Sequence, residues 1–157
     1  MQCKRINDEL IKLDVEKING YLCAVECLNR VNAPRVEYSF THINNSGSLL
    51  KSVQDHIAAA YPNTVIDYWH IEIEGINENQ FNGSVKTWFF LFGRAEVLCD
   101  QLKPLQDEFL DLLKQLVYTP HIYRVHMVPP VWYATSWELI LLDSVNGSFI
   151  LEFNFDA

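Results

Sequence analysis

His70 and Glu72 stand two residues apart in the run Asp67-Tyr68-Trp69-His70-Ile71-Glu72-Ile73-Glu74. On an extended strand, alternate residues share a face, so this imidazole and carboxylate could form a proton-transfer pair or supply two metal ligands. Cys23 and Cys27 are four apart, which on a helix sets two thiols on one face. Structural zinc takes four ligands, commonly as two close pairs, and a second pair is lacking. The spacing therefore favours cysteines buried as core residues, with no metal. His121 and His126 fall on opposite faces of one strand and cannot converge. There is no HExxH, Walker loop, GxGxxG or GxSxG. No cofactor and no catalytic residue are expected, and a small enzyme built on His70 and Glu72 stands as the alternative.

Side chains suited to binding are more numerous. Tyr68, His70, Glu72 and Glu74 would make an acidic, aromatic stripe, continued by Glu78 in the next loop. Trp132 and Tyr133 follow Pro129-Pro130 and belong at a loop or strand edge, either plugging the core or offered to a partner. Aromatic rings supply anchor area at low entropic cost, and carboxylates around them steer a basic partner.

The elements that must position these groups follow from hydrophobic periodicity. Residues 4–18 read as a helix with Ile6, Leu10 and Leu13 inward, and Asn19-Gly20 ends or bends it. Residues 21–30 read as a second helix, with a strand at 21–26 as the alternative. Val36, Tyr38 and Phe40 alternate with polar neighbours as in a half-buried strand. Ser48 is placed to cap a helix over 49–60, with Leu50, Val53, Ile57 and Tyr61 inward. Residues 64–76 alternate as a long strand, odd positions packed. Residues 77–83 read as a loop, and 84–92, apolar on both faces, as a central strand. Residues 93–102 are ambiguous. Pro104 then opens the best amphipathic helix, with Leu105, Phe109, Leu112, Leu113, Leu116 and Val117 on one side. A strand at 121–128 precedes a C-terminal hairpin. Helices and strands do not alternate one for one. The fold class is α+β: a mostly antiparallel sheet of about six strands, with three to four helices packed mainly on one face.

The hairpin turns at Asn146-Gly147, a pair suited to a type I′ turn. That register pairs Val145 with Ser148, Leu142 with Leu151 and Ile140 with Phe153. Its second face mixes Trp137, Leu139, Leu141 and Ile150 with Asp143, Glu152, Asn154 and Asp156. So many large apolar groups are either covered, as by the N-terminal segment, or exposed as a patch. If exposed, they could form a homodimer face.

The chain of 157 residues is most simply one domain, residues 1–157, able to bury a core without disulfides. It carries 20 acidic and 12 basic residues, a net charge of −8 that disfavours nucleic acid. No run approaches the roughly 18 apolar residues of a membrane span, and the N-terminus lacks a signal-peptide pattern. Four scattered cysteines, Cys3, Cys23, Cys27 and Cys99, fit free thiols and a cytoplasmic location.

In general character the chain resembles the immunity proteins of bacterial toxin–immunity systems. The run from Asp67 to Glu74 and the hairpin strands Trp137-Glu138-Leu139-Ile140-Leu141 and Phe149-Ile150-Leu151-Glu152-Phe153 carry the resemblance. It implies a non-catalytic protein that binds and neutralises a cognate, basic, nuclease-like toxin. The expected contact residues, taken from the stripe and the loop aromatics, are Tyr68, His70, Glu72, Glu74, Glu78, Trp132, Tyr133 and Trp137.

Overall fold

The computed structural model describes residues 7–30, 35–90, 100–118 and 120–156. Cys3, Ile6, Cys99 and most of the ambiguous 93–102 segment lie outside them. The elements are α1 (Asp8–Asn29), β1 (Val36–Ile43), α2 (Leu49–Ala60), a 3-10 turn (Ile66–Trp69), β2 (Glu72–Ile76), α3 (Glu78–Phe90), α4 (Lys103–Leu116), β3 (His121–His126), β4 (Ser136–Ser144) and β5 (Gly147–Phe155). The strands form one antiparallel sheet in the order β1-β5-β4-β3-β2. The architecture is thus α+β, with five strands where about six were expected.

Both sheet faces are covered. On one, α1, α3 and α4 pack on Tyr38, Phe40, Ile140, Leu142, Phe149, Leu151 and Phe153. On the other, α2 and the 3-10 turn bury Leu139, Leu141 and Ile150 beneath Val53, Ile57, Trp69 and Ile71. The second face of the hairpin is therefore closed, by α2 and the turn; the N-terminal segment packs on the opposite face. With Leu139, Leu141 and Ile150 at most 1% exposed, they cannot form a dimer face.

Two stretches expected as strands are something else. Residues 84–90 belong to α3, because Phe81, Val85, Trp88 and Phe89 recur at i, i+4, i+7 and i+8 and all are buried. The helix begins in what reads as a polar loop. Asn77 Oδ1 accepts from the Gln80 N–H at 2.8 Å, and Gln80 Oε1 accepts from the Asn77 N–H at 2.9 Å, a reciprocal cap. The alternation of 64–76 is broken at its middle. Ile66 and Trp69, three apart, point inward as in a 3-10 turn, and His70 closes it in the left-handed region at φ 49°. Only residues 72–76 form a strand.

Asn19-Gly20 does not end the first helix either, so residues 21–30 continue α1. Its buried stripe is Ile11, Ile18, Leu22, Val25 and Asn29, leaving Leu10 and Leu13 about half exposed. Asn19 instead serves the sheet. Its Nδ2 donates to Phe40 O at 2.8 Å and its Oδ1 accepts from Phe40 N at 2.9 Å, while Glu26 Oε1 accepts from Tyr38 N at 2.5 Å. These side chains occupy the outer hydrogen-bonding edge of β1, which blocks a foreign strand from pairing there.

The hairpin register is two residues from the expected one. Ser144 pairs with Gly147, Leu142 with Phe149 and Ile140 with Leu151, so Val145 and Asn146 make the turn. Asn146 is 4% exposed and donates through Nδ2 to Leu116 O at 2.7 Å, satisfying a carbonyl at the end of α4. The positive φ falls on Gly147 at 117°, where a Cβ would approach within 2.5 Å of His42 Nε2. A shift of two residues preserves parity, so every side chain keeps its expected face.

β1, α2, α4 and β3 lie where they were expected, but Leu50 is 37% exposed instead of inward, and β3 ends at His126 instead of residue 128. Ser48 caps α2 by accepting from Lys51 N at 3.1 Å, and Pro104 lies in the first turn of α4. Among the described residues, no helix is long and apolar enough to cross a membrane.

Candidate functional site

Trp69 organises the region from which most of the expected contact residues come. It is fully buried, and its Nε1 donates to Thr64 Oγ1 at 2.9 Å. Its ring lies 4.9 Å from Tyr61 and 6.2 Å, edge to face, from Tyr133; Tyr133 in turn meets Trp137 at 5.5 Å and 83°. Trp69 O accepts from Val128 N at 2.7 Å, which ties the 3-10 turn to the segment leaving β3.

These two joined segments carry an unusual share of exposed apolar surface. Among the described residues nine large apolar side chains are exposed, and five come from here: Val65 at 55%, Tyr68 at 63%, Val128 at 62%, Val131 at 42% and Trp132 at 71%. Asp67, His70, Glu72 and Glu74 are exposed nearby in sequence. The remaining exposed apolar groups are divided among α1, α2 and the hairpin tip.

The structure thus brings Tyr68, Trp132 and Tyr133 to one end of the sheet but does not assemble the expected stripe. Because the 3-10 turn interrupts the alternation, Tyr68 and His70 do not continue the strand face of Glu72 and Glu74. Those two carboxylates lie across from His126 and Arg124, on the side of α1, α3 and α4, whereas Tyr133 and Trp137 pack on the α2 side. Glu74 contacts His126 Nε2 at 2.8 Å. Glu78 opens α3 and pairs with Lys114 at 2.9 Å, outside the group. Trp137 is half-buried. The strand alternation that would place His70 beside Glu72 does not run through His70. Cys23 and Cys27 are exposed, contrary to the expectation of buried thiols, because α1 turns Leu22 and Val25 inward instead. Among the described residues no three His, Cys, Asp or Glu side chains are grouped to hold a metal.

A second feature escaped the sequence reading. A cleft of about 440 Å³ opens between α2, β1 and β5, lined by Glu37, Ser39, His56, Tyr61, Tyr133, Glu152 and Asn154 among others. Strand pairing creates it: Glu37 lies opposite Asn154 and Ser39 opposite Glu152, all on the α2 side of the sheet. Glu152 accepts from Tyr133 OH and from Asn154 Nδ2 at 2.9 Å. Burial pushes the Glu152 carboxyl above its ordinary pKa, the Asn154 hydrogen bond opposes this, and the charge of Glu37 adds to the rise. Burial also lowers the His56 imidazole and raises the Tyr61 phenol, the latter helped by the charges of Glu152, Asp156 and Glu37. The clue in the sequence is that Glu152 and Asn154 are among the polar residues on the second face of the hairpin.

The raised Glu152 value has a consequence for stability. The folded state holds this proton more tightly than the unfolded chain does. Its contribution is therefore fully present below the unfolded carboxylate pKa and is lost as pH rises through the folded value. Glu152→Gln keeps an acceptor and removes the charge. It is expected to raise Tm at neutral pH. The gain should vanish below about pH 4, where the unfolded carboxylate is itself protonated. Thermal denaturation of both proteins across that range checks it; a variant less stable at neutral pH contradicts the sign.

No protein-family model matches the chain, and no curated protein matches it either.

Proposed function

We propose that this chain is a non-catalytic binding protein that engages a basic protein through the rim formed by the 3-10 turn and the β3–β4 loop, and that it acts as an immunity protein neutralising a cognate toxin. The observation behind this reading is the concentration of exposed apolar side chains, Val65, Tyr68, Val128, Val131 and Trp132, on two segments held together by the Trp69–Val128 bond. Exposed apolar groups gathered on one rim mark interaction surfaces more often than scattered ones. The net charge of −8, with Asp67, Glu72 and Glu74 exposed close by, suits a positively charged partner. The rim also stands on a rigid base, the ring cluster of Tyr61, Trp69, Tyr133 and Trp137, so little ordering is needed on binding.

Calorimetry with the product of the adjacent gene, if it encodes a basic toxin, tests the reading. A complex is expected at micromolar concentration or below, and its absence rejects the proposal. Trp132→Ala is expected to weaken the complex by at least about 2 kcal/mol, as a central aromatic anchor does. Glu72→Lys with Glu74→Lys should act differently, slowing association most at low salt and little at high salt. Stopped-flow kinetics that show no salt-dependent difference would remove these two carboxylates from the surface.

A further inference from the structure

The two edges of the sheet are finished differently. In an antiparallel ladder the N–H and C=O of one residue point to the same side of the strand, and consecutive residues alternate. On β1, Phe40 turns both groups outward, where Asn19 takes them, and Glu26 takes the Tyr38 N–H. Ser39 and Thr41 therefore bond β5. Carried through the registers, Leu151 faces β4, Leu139 and Leu141 face β3, and Arg124 faces β2. Arg124 lies opposite Glu74, so Glu72, Glu74 and Ile76 bond β3, while Ile73 and Gly75 turn their backbone groups outward. β2 ends the sheet, and among the described residues nothing bonds those groups of Ile73 and Gly75. Gly75 is exposed, and a Cβ there would meet nothing within 4 Å. One edge is thus closed by side chains and the other stands open.

We propose that β2 receives an added antiparallel strand from the basic partner, with cationic side chains opposite Glu72 and Glu74. The source of the strand rests on the binding-protein reading above; the open edge does not. Extended peptides join sheet edges in this way, main-chain bonds giving affinity and alternate side chains giving choice. Here charge sets the choice. Glu72 and Glu74 are exposed on the side of α1, α3 and α4. Glu72 is in no ion pair among the described residues, and Glu74 meets His126 Nε2 at 2.8 Å. A residue opposite either carboxylate would sit in a non-hydrogen-bonded pair, roughly 4.5 Å away between Cα atoms, where opposite charges attract and like charges repel. The same charges disfavour a second copy. Antiparallel pairing of β2 with itself sets Glu74 opposite Glu74 when Ile73 faces Gly75, and opposite Glu72 when Ile73 faces Ile73. When Gly75 faces Gly75, Ile73 meets Asn77, whose N–H and C=O already bond Gln80 and Phe81. On the α2 side, Gly75 leaves room for a ring on the incoming strand. The matching strand therefore reads aromatic, cationic, β-branched, cationic, opposite Gly75, Glu74, Ile73 and Glu72 in turn. β2 follows the 3-10 turn that carries Tyr68 almost directly, so the edge continues the apolar rim along the chain.

The test uses the whole chain and the peptide acetyl-Thr-Phe-Lys-Val-Lys-Thr-amide, with amide shifts followed by NMR. Saturable shifts are expected at Ile73 and Gly75, whose amide hydrogens should also exchange more slowly in the complex. The same peptide with glutamate in place of both lysines should bind at least about tenfold more weakly, and the order should reverse for Glu72→Lys with Glu74→Lys. Gly75→Pro removes an outward donor and leaves the bonds to β3, so it should weaken the lysine peptide roughly fivefold, the scale of one hydrogen bond. Unshifted Arg124 and Val125 amides would show that β2 stays paired in that variant, and the charge reversal stands without it. Equal binding of the two peptides overturns the proposal, as does a lysine-peptide titration that stays linear or shifts that centre away from β2. The arms separate the two readings. Saturable peptide binding with no toxin complex keeps the open edge and removes the toxin. A toxin complex indifferent to Gly75→Pro, with no peptide binding, keeps the partner and removes the added strand.

Discussion

Glu138→Ala is expected to destabilise the fold by about 3 kcal/mol, the scale for removing one member of a half-buried charge pair with further hydrogen bonds. Glu138 accepts from three donors at 3.0 Å: Arg124 Nε, Ser84 Oγ and Trp88 Nε1. The carboxylate thereby joins β3, β4 and α3 at one point. Its side chain is 18% exposed and that of Arg124 28%, so water reaches them only in part. Among the described residues, truncation leaves the guanidinium with the weaker Ser84 contact at 3.3 Å alone, and the Trp88 indole N–H loses this acceptor. Arg124→Met with Glu138→Leu should cost much less than Glu138→Ala, because removing both charges avoids a stranded one. Urea denaturation of the two variants measures the difference. If the double variant is the less stable, the pair contributes more by its attraction than its dehydration costs, and the expectation is wrong.

Trp69→Ala is expected to cost about 3–5 kcal/mol, the range for truncating a fully buried indole. Besides the cavity, it removes the bond to Thr64 Oγ1 and the ring contacts with Tyr61 and Tyr133. The damage should reach function as well as stability. Trp69 holds the 3-10 turn against the core, and the turn carries Tyr68 and receives Val128. Trp69→Phe keeps an aromatic filler and should recover more than half of the loss. A denaturation midpoint for Trp69→Ala within error of the unsubstituted chain would show that the indole does not support this end of the molecule. A stable variant with unchanged partner affinity would show that the rim does not depend on it.

How far the fold could be read depended on whether local pattern and tertiary burial agreed. α2 and α4 were legible, including the Ser48 cap and Pro104, because each has an apolar stripe of helical period and a start signal. The pattern of 84–92 was ambiguous in kind. Aromatic and β-branched residues suit a strand, but Phe81, Val85, Trp88 and Phe89 also form a helical stripe, and the Asn77–Gln80 cap decides for helix. Asn19-Gly20 reads locally as a stop. α1 runs through it because burial of Leu22 and Val25 outweighs roughly 1 kcal/mol of glycine penalty, and because Asn19 finds its partner on β1.

The candidate site was less legible than the fold. Trp132 could be selected because it follows Pro129-Pro130, whereas Tyr68 was selected from a strand alternation that the 3-10 turn breaks, and it is exposed for a different reason. That they share one end of the sheet depends on the Trp69–Val128 bond, 59 residues apart in number, which no periodicity reports. The cleft was harder still. Glu37 and Glu152 belong to strands 115 positions apart, and only the β1–β5 pairing makes them neighbours.

By itself, the amino-acid order determined the element types with strong periodicity, the antiparallel α+β class and the acidic field around the chain. These depend on near neighbours or on simple sums. Only the tertiary structure decided which helix covers which face, why the hairpin turns at Val145-Asn146, and that β1 brings Glu37 and Ser39 beside Asn154 and Glu152. Those features arise from contacts between distant segments, where the burial of Trp69 or the capping of Leu116 O by Asn146 outweighs the local preference of a few residues.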